Sequence, residues 1–152
     1  MRVQSEAIGT ARPARPDDLE LLAGAGRPGW SETLPEALFG EPVRAWCHVV
    51  ERSGEICGYA IHTTLFSTWQ ARNLIDIQSF VIFDSGSVAD LGAALLGAVT
   101  THASELGATA IRWQQVSETD EHIAALFTDA AELAKVRFEL PIPVGEAGVT
   151  SA

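Results

Sequence analysis

Asp76 and Gln78 interrupt a run, Leu74 to Phe83, that is otherwise apolar enough to be a buried strand. Side chains alternate along a strand, so these two share a face. A carboxylate in that position can take a proton from an amine. The amide beside it can orient a ligand, but it has no useful proton affinity. The same residues also fit an ordinary strand aspartate, exposed or hydrogen-bonded, and a buried amide paired with backbone. His62, in the preceding apolar run, can act as acid or base near neutral pH or be a packed histidine satisfied by a neighbour. Trp30, Trp46, Trp69 and Trp113 can wall a ligand cavity or fill core, where each indole N–H wants a partner. Glu32, Glu36 and Glu41 can draw in a cation or form a solvated face. His102 and His122 fall on expected helices as surface or packing residues. The four histidines lack ligand spacing, and Cys47 and Cys57 form no C-x-x-C, so no metal set is expected. No G-x-S-x-G, Walker loop or dinucleotide fingerprint occurs.

The elements that must position these groups follow from periodicity and punctuation. Ala7 to Ala14 reads as a first strand. A helix spans Leu19 to Ala25, with Asp17 or Asp18 as its cap, and a second runs from Ser31 to Phe39. Arg44 to Glu51 and Ile56 to Thr68 form a hairpin about a turn at residues 52–55. That turn places Cys57 opposite about position 50, which argues against a bridge to Cys47. Leu74 to Phe83 is the next strand. Val88 to Leu106 is a long helix with Leu91, Leu95, Leu96, Val99 and Ala103 on one face, a capping-box variant at Ser87 to Asp90, and a stop at Gly107. A strand over Ala110 to Val116, a helix over Asp120 to Glu132 and a strand over Val136 to Leu140 complete the order. One α/β (α+β) domain is expected over residues 1–143, with 144–152 as a flexible tail.

Bulk properties narrow the function. The 152 residues carry a net charge of −10, which repels nucleic acid and anionic membrane and favours a cationic small molecule. No apolar run is long enough to span a bilayer, and Met1 to Glu6 lacks the apolar core of a signal peptide. With two cysteines and an ample core, a reduced, cytoplasmic protein is expected.

Several phrases carry a family likeness. Ala11 to Leu19 contains Arg-Pro-Ala followed by Asp17 and Asp18; Leu38-Phe39-Gly40 ends the second helix; Gly58-Tyr59-Ala60 lies in the third strand; Phe66-Ser67-Thr68-Trp69-Gln70-Ala71-Arg72 follows. With the element order, these resemble the GCN5-related N-acetyltransferases (GNATs). The last phrase is similar to "FSTW-x-G-R" of the diamine and thialysine branch. The likeness covers roughly residues 7–140. It implies a GNAT fold, a mostly antiparallel mixed sheet of about six strands flanked by about four helices. It also implies a homodimer, and a glycine-rich turn before the long helix whose N–H groups hold the CoA diphosphate. A strand carboxylate as base and a tyrosine as acid complete the implied machinery.

The sequence departs from that machinery. In the diphosphate turn, Ser87 stands for Arg or Gln, Val88 and Asp90 for glycines, and Gly92 alone matches. Gln78 and Ser79 fall at the strand carboxylates, and Phe127 at the tyrosine. Amine-side phrases are kept while cofactor-side ones are altered. The leading expectation is therefore a repurposed GNAT-fold protein that binds a small amine-bearing metabolite and transforms it with no cofactor required. Asp76, His62 and Gln78 would hold the catalytic positions, with Trp69, Trp30, Ser79 and Trp113 on the substrate. The alternative is an acetyl-CoA-dependent N-acetyltransferase that holds diphosphate at Gly86, Ser87 and Gly92. A third reading is a non-catalytic ligand-binding or interaction module.

Overall fold

The computed structural model describes residues 9–25, 30–83, 87–114 and 140–143. Its centre is a meander built on two hairpins. Ser53 and Gly54 both take positive φ, 53° and 80°, the turn that suits a two-residue hairpin loop. This loop joins β2 (Trp46–Arg52) to β3 (Glu55–Ser67), and a turn over residues 68–71 joins β3 to β4 (Arg72–Ile82). β1 (Thr10–Pro13) pairs with β2, and the sheet order is β1-β2-β3-β4-β5 with β5 at Ala110–Trp113. Every neighbour is antiparallel except β4–β5, which is parallel and crosses over through α3 (Val88–Glu105).

Two apolar layers enclose this sheet. On one face α3 lays Leu91, Leu95, Val99 and Ala103 against Val50, Ala60, Ile75 and Ile77. On the other, α1 (Leu19–Ala25) and α2 (Trp30–Phe39) supply Leu22 and Leu38, which join Cys47, Val49, Tyr59 and Ile61. A fully buried Leu or Ile contributes about 1.5–3 kcal/mol, so each layer is a substantial term. Gly107, at φ 74°, ends α3 with its N–H on the Ser104 carbonyl.

The expected α+β class, element order and hairpins are what the fold shows, with some edges shifted. β1 covers Thr10–Pro13 of the expected Ala7 to Ala14, and residues 7–8 lie outside the described residues. A short 3-10 turn, Pro16–Asp18, precedes α1. Asp18 does not cap α1 forward. Its carboxylate accepts the Arg15 N–H and bonds from Arg12 Nη1 and Nη2, the latter two at 2.8 and 3.1 Å. The Arg12 and Asp18 of the opening phrase are thus a structural ion pair, and Arg12 holds the carboxyl below its ordinary range. Val50 pairs with Gly58 and Glu51 with Ile56, so Cys57 sits near position 50 and both cysteines are free. The helix expected over 120–132, the strand over 136–140 apart from Leu140, and the tail at 144–152 lie outside the described residues.

Candidate functional site

Among the described residues, β5 pairs with β4 from Leu74↔Ala110 to Ile77↔Trp113, and this pairing ends beside Gln78, a point termed the fork. On the β3 side, His62 pairs with Ile77 and Ile61 with Ser79, which leaves Gln78 as the extra residue of a bulge. The bulge also flips the alternation. Ile75 and Ile77 meet the α3 layer before it, and Phe80 and Ile82 meet it after. A bulge bends and twists its strand.

Four of the expected site residues converge on this fork. The Gln78 amide donates to the Asp76 carboxylate. Asp76 stands opposite Arg112 on β5 and Thr63 on β3. By alternation it points to the face away from α3. Ser79 is half-buried just past the bulge, and Trp113 closes the paired stretch while packing on the α3 layer. Trp69 does not join them. It occupies the β3–β4 turn, is 90% exposed, and lies about 16 Å along the strand from the fork. Trp30 opens α2, but its side chain lies outside the described residues.

The N-terminus of α3 presents a second set of groups. Ser87 occupies the cap position, but its hydroxyl makes no capping bond and accepts from Arg52 Nη1 at 3.1 Å. The expected capping box is therefore replaced by a bond to β2. Arg52 brings a guanidinium to a helix end whose first N–H groups lack intrahelical partners, and its buried Nε has no hydrogen-bond partner. Asp90 is exposed in the first helical turn and Gly92 is buried in the next; Gly86 lies outside the described residues. Arg52 escaped the sequence reading because it looked like a turn residue 35 positions from Ser87.

His62 is not at the fork's reactive face. It is fully buried on the α3 side of the sheet, with His48 of β2 and His102 of α3. His62 Nε2 lies 3.0 Å from His102 Nδ1, and the His48 and His62 rings stack at 5.4 Å. Trp46 stacks on His62 at 6.1 Å and meets His102 edge-on at 5.6 Å. Burial pushes His48 down to about 4 and His62 to about 3, with the neighbouring histidines adding to both. Both are neutral at pH 7, so His62 has no proton to give there. Histidines that looked scattered at 48, 62 and 102 are one cluster.

No protein-family model matches the chain, and no curated protein matches it by sequence. Solved structures do share its architecture. AAC(6')-Iy, in complex with the bisubstrate analogue CoA-S-monomethyl-acetylneamine, matches at TM-score 0.71 and 14% identity, over 89% of this chain and 99% of that one. An aminoglycoside acetyltransferase from an uncultured soil metagenomic sample matches at 0.69 and 17%, with the same coverages of 89% and 99%. A ribosomal-protein-alanine N-acetyltransferase from Brucella melitensis biovar Abortus 2308 matches at 0.68 and 13%, again over 89% and 99%. The fold of this chain is the GNAT fold.

Proposed function

We propose that the chain binds a CoA thioester in the fork between β4 and β5 and presents its acyl group to a small amine. The bulge at Gln78 carries this reading, because it re-aims the edge of β4 beside a carboxylate, at the end of the described pairing with β5. An extended ligand with amide groups can pair with such an edge as an added strand would. The pantetheine arm of CoA is a ligand of that kind. The AAC(6')-Iy complex, with its CoA-derived analogue, supports the reading by likeness of fold. A bound CoA thioester supplies an activated acyl carbon, with its thiol as leaving group.

The residues divide the work by position. The backbone from Gln78 to Ile82 holds the amide arm. The first N–H groups of α3 and the Arg52 guanidinium take the diphosphate, since a helix N-terminus and a charged donor both favour an anion. Asp76 takes the proton that an incoming ammonium must lose, and the Gln78 amide fixes the carboxylate. Ser79 and Trp113 border the acceptor. The net charge of −10 draws a cationic amine toward the fork. Leu65, Phe66 and Trp69, exposed along the β3–β4 hairpin, support a homodimer contact.

A second reading, a repurposed pocket that uses no CoA, is favoured by Asp90. Its carboxylate stands exposed on the first turn of α3, where the diphosphate would approach. Like unit charges at close range cost about 1–4 kcal/mol, or roughly one to three decades of affinity. Titration calorimetry with acetyl-CoA separates the two readings. Micromolar binding by the unmodified chain, tightened about tenfold in Asp90→Asn, is the expected result. Absence of binding by both proteins, each shown folded by circular dichroism, overturns the CoA reading.

A further inference from the structure

We propose that His48, His62 and His102 form a binding site for a late transition-metal dication, zinc above all, on the face of the sheet behind the fork. Among the described residues, three imidazoles converge with no carboxylate or thiol in the group. That donor set suits zinc, copper and nickel rather than magnesium or calcium.

The geometry is close to what such an ion needs. One ring nitrogen from each histidine lies within 4.8 Å of the other two, and the His62–His102 pair is at 3.0 Å. Zinc–nitrogen bonds of about 2.0–2.1 Å at tetrahedral angles require ligand nitrogens about 3.3 Å apart. The His62–His102 pair must open by about 0.3 Å, and no other separation needs to close by more than about 1.5 Å, within reach of side-chain rotation. The frame is firm. His48 and His62 stand on adjacent strands, offset diagonally by the pairs Trp46↔His62 and His48↔Ala60. His102 rides the last turn of α3, whose carbonyl at that residue accepts the Leu106 N–H.

Neutral imidazole is the ligating form. Without an ion the cluster is under-used, since His48 Nδ1 is buried without a hydrogen-bond partner. Three protein ligands also leave a fourth tetrahedral position for water. His102 and Trp46 are half-buried and form the way in.

The location is separate from the proposed diphosphate end. His102 is about 21 Å along α3 from Val88, at a rise of about 1.5 Å per residue. It backs onto the fork, however, because His62 pairs with Ile77, the residue before the bulge. An ion there would brace the bulge from behind.

The test uses the full-length chain stripped of metal with a chelator. Addition of Co2+ should give the visible absorption of a tetrahedral site, displaced by Zn2+ at one equivalent. Co2+ should also quench part of the tryptophan fluorescence, and Trp46→Phe should remove that part. His102→Ala, at a half-buried position, should weaken Zn2+ at least about 100-fold while keeping its circular dichroism. His122→Ala, at a histidine the proposal does not use, should bind as the unmodified chain does. A folded protein that takes up no Co2+ or Zn2+ overturns the proposal. So does stoichiometric binding that survives His102→Ala or is lost in His122→Ala.

Discussion

The two faces of the β2–β3 hairpin are buried by different chemistry. Cys47, Val49, Tyr59 and Ile61 point toward α1 and α2 and pack with apolar partners there. Their neighbours His48, Val50, Ala60 and His62 point toward α3, where two imidazoles share the layer with Leu95 and Val99. Both faces are equally dry: Val49, Val50 and His62 are all fully buried. Alternation of apolar and polar residues in a strand therefore identifies two faces without saying that the polar one is wet.

The largest effects that sharpen this contrast come from the leucines. Leu22→Ala on one face and Leu95→Ala on the other should each cost about 2–5 kcal/mol in urea unfolding, because both side chains are fully buried. A loss below about 1 kcal/mol on either side would mean that face is not a packed layer, and the comparison would break.

A smaller, graded difference should appear with pH in metal-free protein. On the α3 face, His48 and His62 fall from 6.5 to about 4 and about 3, through burial and through His48, His62 and His102 facing one another from β2, β3 and α3. The unfolded chain takes up protons below about 6.5 and the folded chain does not, so stability falls as pH drops from there toward 3. On the other face, burial, with Asp18 adding, pushes the Cys47 thiol from 9.0 up to about 12. The unfolded chain loses that proton above about 9 and the folded chain keeps it, so stability falls as pH rises from 9 toward 12. Urea midpoints should show both arms, and Cys47→Val should flatten the alkaline arm alone. An alkaline arm unchanged in that variant would refute the assignment.

The smallest effect belongs to a residue outside both layers. Trp69, 90% exposed, should tolerate Ala with a stability change within about 0.5 kcal/mol. A larger loss in thermal melts, dependent on protein concentration, would place it in the dimer contact.

Much of this was legible in the sequence. The stripe Leu91, Leu95, Val99, Ala103 marked α3 and its buried face, and the Ser53–Gly54 turn set the register that separates Cys47 from Cys57. The fork left a fainter trace. The step of three from Ile77 to Phe80, inside a run of alternating residues, is the mark of one inserted position, and it was read as general bulk. The histidine cluster was hidden by distance along the chain. Hairpin register brings His48 diagonal to His62, but His102 lies 40 residues away from His62, one position before Ala103 of the stripe. Arg52 at Ser87 needs the return of α3 across the sheet, which no local pattern encodes.

The bulge in β4 has a consequence for chain length. A strand lacking Gln78 alone would run Ile77, Ser79, Phe80, Val81, Ile82 in unbroken alternation, with Ile77, Phe80 and Ile82 still beneath α3 and the pairs Ile61↔Ser79 and His62↔Ile77 intact. Neither core would register the missing residue. Only the edge of β4 at the end of its described pairing with β5 would change, so the two apolar layers are indifferent to a position that shapes that edge.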